Sequence, residues 1–306
     1  MKTVRRYSLL SRPAKVQVSQ FAKTVPGGSS MTEFIKSLPG FLAAADFKDL
    51  LVRMRAARKK KKPILFACGA HIIKTGLSPV FIDLMREGWI SGLALNGAGI
   101  IHDFEVAFCG RTSEEVESQI RTGRFGMARE TGDEINRAVH DAAAAGRGLG
   151  ESVGRMLSKS RFPYKRLSLC ATAYDLGIPV TVHVALGTDI IHSHPGTSGE
   201  ALGGASLRDF QTLCRLVEGL DGGGVFVTVG SAVILPEVFL KAVSAARNRG
   251  FKLETFTSAV FDFQKLYRPD QNIVRRPLGQ KSRGFYFVGH HEIMIPLLAA
   301  ALKCRS

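Results

Sequence analysis

The sequence predicts an α/β fold, a doubly wound, mostly parallel, Rossmann-like sheet of about six strands. Two observations predict it. Short apolar runs alternate with segments of helical period, and each run stops at a turn rich in glycine or polar residues. Residues 63–105, PILFACGAHIIKTGLSPVFIDLMREGWISGLALNGAGIIHDFE, show the pattern most plainly. An apolar run over 63–68 stops at Gly69, and a glycine-bounded turn closes at Gly76. Val80 with Leu84, and Phe81 with Met85, then fall on one helical stripe. A second run over 90–95 stops at Asn96-Gly97-Ala98-Gly99, and another helical pattern begins. Parallel pairing requires a crossover of this kind, almost always right-handed. The carboxyl ends of both strands then share one edge, where open α/β sheets bind ligands. Glycine turns there let backbone N–H groups approach a phosphate.

The remaining elements follow in order. Residues 1–62 read as an N-terminal arm, with Pro13, Pro26 and Gly27-Gly28, and a helix over 41–58 with Phe47, Leu50, Leu51 and Met54 on one face. Residues 63–306 read as a single α/β domain with a helical insertion at about 112–177. In that insertion Thr112 and Glu115 have capping-box spacing, and helices are expected over 130–145, 150–160 and 164–176. Strands are expected at 178–185, 225–229, 253–260 and 285–288. Helices are expected at 206–220, 236–248 and 292–303, and 263–283 reads as a long loop.

Composition narrows the function. The chain has 306 residues and is 45% hydrophobic, ordinary for a globular protein with a substantial core. No apolar run approaches the roughly 20 residues that span a bilayer, and the basic start lacks a secretory apolar core. Five dispersed cysteines, Cys68, Cys109, Cys170, Cys214 and Cys304, suit reduced thiols in a cytoplasm. A net charge of +16 would suit nucleic acid, but the charge is spread except at Arg58-Lys59-Lys60-Lys61-Lys62, which reads as a solvated helix end. No recognition motif accompanies it, so neither nucleic acid nor membrane is the expected partner.

The expected mouth of the sheet gathers chemistry from separate strands. Lys74 lies in the first glycine turn, as a phosphate contact, an amine nucleophile or an exposed turn lysine. His102 and Asp103 stand near the next helix start, where Asp103 is either catalytic or a partner of the helix dipole. Asp189, His192 and His194 follow the third strand, near His183. The H-x-H pair could bind zinc or iron, although Pro195 and its neighbouring glycines argue for a loop, and no metal is assigned. The apolar strand around Cys68 points to a buried, inert thiol.

Several stretches resemble the deoxyhypusine synthase family. GAHIIKTG and NGAGIIHDFE are similar to the family's first two strand-end turns. IPVTVHVALGTDIIHSHPG, VFVTVGSAVILPEVFLKAVSAARNRG and VGHHEIMIPLLAAAL are similar to later family segments, in the same order, and together they cover most of the chain after Lys62. The resemblance implies an NAD-binding-type domain in a homotetramer, with NAD near subunit interfaces. The cofactor residues it implies are Gly69, Ala70, His71, Ile72 and Ile73 in the first turn and Asn96, Gly97 and Ala98 in the second. Later contacts fall at Thr257, Ser258, His290 and His291. Where the family carries its active lysine, this chain has Leu235, so an imine cannot form there. The family's acidic amine contact is replaced by His102, which points to an anionic or neutral small molecule instead of spermidine. The implied chemistry is transient hydride transfer with NAD, with possible group transfer. His102, His192 or His194 would be the acid–base groups and Lys74 the replacement amine. Competing readings are a metal-dependent lyase or hydrolase built on His192 and His194, and a non-catalytic nucleotide-binding protein.

Overall fold

The computed structural model describes residues 3–304. Six strands form one sheet: β1 (Ile64–Cys68), β2 (Gly92–Asn96), β3 (Val180–His183), β4 (Gly224–Val229), β5 (Phe256–Asp262) and β6 (Arg283–Val288). Their order is β3-β2-β1-β4-β5-β6, and every pair is parallel. The order reverses between β1 and β4, which opens a crevice above their carboxyl ends.

Thirteen α-helical segments surround the sheet among the described residues. They are α1 (Met31–Ser37), α2 (Leu42–Lys59), α3 (His71–Lys74), α4 (Ser78–Arg86), α5 (Gly97–Cys109), α6 (Val116–Arg121) and α7 (Arg129–Ala144). The rest are α8 (Leu149–Lys159), α9 (Leu169–Asp175), α10 (Gly199–Glu218), α11 (Ile234–Asn248), α12 (Tyr267–Pro269) and α13 (His291–Lys303). Strand residues alternate between two cores. Ile64, Phe66 and Cys68 of β1 pack with α2, α4 and α13, while Leu65 and Ala67 face α10 and α11. Both faces are covered, which is why the strands read as unbroken apolar runs.

Four details depart from the sequence expectation. α6 begins at Val116 and its cap is Glu115, because the Thr112 hydroxyl is bonded to Glu105 and Ser113 takes a left-handed φ of 72°. α10 starts at Gly199, capped by Ser198, earlier than the apolar period suggests. The expected loop over 263–283 contains α12 and a π-helical stretch, Asp270–Arg275. β5 starts later than expected, since Leu253 has φ 48° and cannot extend a strand. Thr257 and Ser258 therefore lie near the amino end of β5, away from the mouth, and Ser258 Oγ donates to Ile273 O at 2.6 Å. A cofactor at the carboxyl edge would lie several residues further along β5.

The outer edge of β3 is closed by α10. Val182 N donates to Asp209 Oδ2 at 2.8 Å, and Ser206 Oγ donates to Val182 O at 2.9 Å. Asp209 also accepts from Gly150 N at 2.9 Å, and burial pushes its carboxyl up to about 7. His183, at the carboxyl end of β3, is buried beside Thr181, with Nε2 and the hydroxyl oxygen 3.0 Å apart, and burial lowers its pKa from 6.5 to about 4. These two groups oppose each other. Below pH 6.5 the unfolded chain protonates its histidine while folded His183 stays neutral, so stability falls as pH drops toward 4. Asp209 works in the reverse sense, since its folded carboxyl takes a proton before the unfolded one does. Wild-type protein should therefore lose more stability than His183→Asn between pH 6.5 and 4, by roughly 3 kcal/mol. Urea unfolding of both proteins at the two pH values measures this, and parallel pH curves would contradict it.

Candidate functional site

Two features stand at the carboxyl edge. The first is the β1–β4 crevice. Gly69 N donates to Val229 O at 2.9 Å, and Gly69 packs so tightly on Gly230 that an added methyl would overlap the Gly230 carbonyl. Gly230 itself adopts φ 60° and leaves 2.9 Å between an ideal Cβ and His291 Cε1. Glycine at 69 therefore serves a close backbone approach. His71, Phe263 and His291 form a ring cluster here, with the two imidazole centroids 5.2 Å apart. His291 is buried, and burial lowers its pKa, so it is neutral near pH 7. Its Nε2 donates to Phe261 O at 3.2 Å, which leaves Nδ1 as a lone pair with no partner. Burial also raises the carboxyl of Asp262, at the end of β5. His290 is exposed, with Nδ1 3.8 Å from Glu292.

The second feature is a cavity of about 220 Å³ whose polar wall includes Lys74, His102, Glu105, Glu114, Thr188 and Asp189. Three expected residues, Lys74, His102 and Asp189, are thus brought together from three separate loops or helices. Val116 and Phe125 supply an apolar cover from the segment between α5 and α7. Asp189 sits at the start of α5, against Gly97, where it accepts from Ala98 N and matches the helix dipole. Burial raises its carboxyl, partly offset by His192. Asn96 accepts from Gly99 N at 3.0 Å. Within the second turn the Asn96 side chain thus holds Gly99 N, and Asp189 stands against Gly97.

His192, His194 and Asp103 stand differently from expectation. His192 Nδ1 accepts from Gly187 N at 3.1 Å and from Asp189 N at 3.2 Å, which puts its proton on Nε2, 3.9 Å from Asp189 Oδ2. It holds the loop and Asp189 from behind the cavity wall. His194 is buried against Gly132, with Nε2 donating to Gly126 O at 2.9 Å. Their rings are committed to separate backbone partners, and among the described residues no three His, Cys, Asp or Glu side chains are grouped as metal ligands. The ligand set of the metal-dependent reading is not assembled. Asp103 is fully buried and accepts from Ser168 Oγ at 2.6 Å, Leu169 N at 2.7 Å and Cys170 N at 3.0 Å. It anchors α9 and does not reach the cavity. Adjacent residues on a helix diverge by about 100°, which sends His102 to the cavity and Asp103 to the core.

Glu105 and Glu114 went unnoticed in the sequence. Glu105 is three residues from His102 on the same helix, a spacing that places both on one face and could have revealed it. Glu114 accepts from Gly126 N at 3.1 Å, a long-range bond with no local signature. Both make the cavity richer in acid than the replacement of one family carboxylate by His102 suggested. A larger cavity of about 370 Å³ opens beside Val180 and Asp209 at the opposite edge of the sheet, but the Asp209 carboxylate is committed to backbone N–H groups there.

No family model matches the sequence, and no curated protein does so. Solved structures do match in shape. A deoxyhypusine synthase candidate from Entamoeba histolytica superposes with a TM-score of 0.52 at 10% identity, covering 90% of this chain and 93% of its own. The fold is that of the deoxyhypusine synthase-like proteins. A candidate LOR/SDH protein from Methanococcus maripaludis S2 gives 0.50 at 15% identity, covering 91% of this chain and 71% of its own. AgrE, solved as a ternary complex with ornithine and NAD+, gives 0.52 at 16% identity, covering 84% of this chain and 32% of its own. The chain spans about a third of the length of AgrE and of ArgZ, a cyanobacterial arginine dihydrolase. Among the described residues no helix is long and apolar enough to cross a membrane.

Proposed function

We propose that the chain binds NAD along the β1–β4 crevice and an amine-bearing small molecule in the adjoining cavity, and that the pair undergoes transient hydride transfer. The observation that carries this reading is the unpartnered His291 Nδ1, buried against Gly230 where the strand order reverses. A lone pair there calls for a donor, such as the carboxamide N–H or ribose hydroxyl of a nicotinamide nucleoside. The first-turn residues Gly69, Ala70 and His71 would wall one side, with Ile72 and Ile73 buried beneath them in the core, and His290 and His291 would wall the other. When bound, the nicotinamide supplies hydride exchange with a carbon bearing an amine or hydroxyl.

The chain's own residues then have distinct tasks. Glu105, Glu114 and Asp189 favour a cationic amine, while Lys74 offers the charge to receive a carboxylate. His102 is placed to move a proton at its free ring nitrogen. Leu235 is buried in the core and has no amine, so the family's covalent lysine step is no part of the reading. AgrE, which binds ornithine and NAD+ together, offers a parallel pairing of an amino acid with this cofactor.

Isothermal calorimetry with NAD tests the proposal. Saturable binding is expected for the wild type, and binding roughly tenfold weaker for His291→Phe, the factor expected for one lost hydrogen bond. No heat at ~1 mM NAD would end the proposal. Change in nicotinamide absorbance on adding α-amino acids distinguishes an enzyme from a binding protein.

A further inference from the structure

We infer that Thr112 and Glu105 are positioning residues that hold His102 in its Nδ1–H form, so that Nε2 presents a lone pair to the cavity. The inference deepens the proposed function, because it assumes that the cavity lined by His102 receives the substrate. It follows from the inventory of donors and acceptors. The Thr112 hydroxyl donates to Glu105 Oε2. An ionised carboxylate only accepts, so that hydroxyl proton is committed. His102 Nδ1 lies 2.6 Å from the same Thr112 oxygen, which now has only lone pairs to offer, and Nδ1 must therefore carry the proton. Thr131 Oγ1 donates to Glu105 Oε1 at 3.1 Å, so both carboxylate oxygens are held. Burial alone would raise the Glu105 carboxyl, but the nearby His102 ring and the bonds from Thr112 and Thr131 outweigh it and keep it below its ordinary value, ionised at neutral pH.

The arrangement suits a general base. When His102 Nε2 takes a proton from a ligand, the bond from ligand to hydrogen breaks and the new N–H forms on the ring. The resulting imidazolium is balanced by Glu105, whose Oε2 is 3.8 Å from Nδ1 and which stays an anion throughout. Thr112 also begins the segment that covers the cavity with Val116 and Phe125. One hydroxyl thus ties the position of that cover to the tautomer of the base, and displacing the cover strips Nδ1 of its acceptor.

The test uses the full chain without ligand. Nitrogen NMR of protein labelled in histidine reads the His102 tautomer, and mass spectrometry reads the rate at which diethylpyrocarbonate acylates its Nε2. Wild type and Thr112→Ser should both show the Nδ1–H form. Thr112→Val and Glu105→Gln should show mixed tautomers and acylation of His102 slowed roughly two- to fivefold, in proportion to the lost Nδ1–H form, with exposed His71 and His290 unchanged. A threonine that merely anchors the cover would not move the tautomer. An Nε2–H form in the wild type overturns the inference without any variant. So does a valine variant that reacts as fast as wild type, or a serine variant that behaves like the valine one. None of these readouts involves a dinucleotide, so a failed NAD titration leaves them intact.

Discussion

Gly69→Ala is expected to destabilise the protein by about 3 kcal/mol or more and to abolish binding in the β1–β4 crevice. The added methyl would overlap the Gly230 carbonyl oxygen and lie 2.9 Å from the Gly230 carbonyl carbon. Both are backbone atoms at the end of a central strand, so neither can swing aside as a side chain would. Relief requires separating β1 from β4, which are hydrogen-bonded along their whole length. Gly76→Ala is the control. Gly76 has φ 76° but nothing within 4 Å, so it should cost only about 1 kcal/mol, the usual penalty for alanine in a left-handed conformation. Urea midpoints of the two variants decide the matter. Equal losses would mean that the contact between the two turns is not what requires glycine at 69.

Asp103→Ala should be nearly as damaging, through the core and not through the cavity. It strands the Leu169 and Cys170 N–H groups and the Ser168 hydroxyl in a buried site, and removes the carboxylate that holds the start of α9. A loss of roughly 3–5 kcal/mol is expected. Asp103→Asn should recover part of it, because the amide oxygen still accepts while its NH2 faces backbone donors. Below their unfolding temperatures, folded variants should match the wild type in the NAD titration proposed above. A stable Asp103→Asn protein with lost ligand binding would return Asp103 to the site.

The strands were legible because burial on both faces writes each of them as an apolar run, and because each stops at a glycine or polar turn. Convergence of Lys74, His102 and Asp189 followed from the same reading, since parallel strands deliver their following turns to one edge. The roles of adjacent residues were harder to separate. His102 and Asp103 are neighbours in sequence, yet helix geometry turns one to the cavity and the other to α9. Glu105 reads as an ordinary helix-surface acid until Thr112 and Thr131 are folded over it. Thr257 and Ser258 came from the family resemblance alone, and they stand well inside β5, which runs on to Asp262 before it reaches the carboxyl edge. Pro195 and its neighbouring glycines already argued for a loop at His192 and His194, and a 3-10 turn over Ile190–Ser193 sends the two rings to different backbone partners.

With the polar groups of Val182 consumed by Asp209 and Ser206, the β3 margin offers no template for a foreign strand. Sheet-to-sheet extension through that margin is thereby closed to other polypeptides, including further copies of this one. Any assembly that involves this flank has to be built from helix side chains.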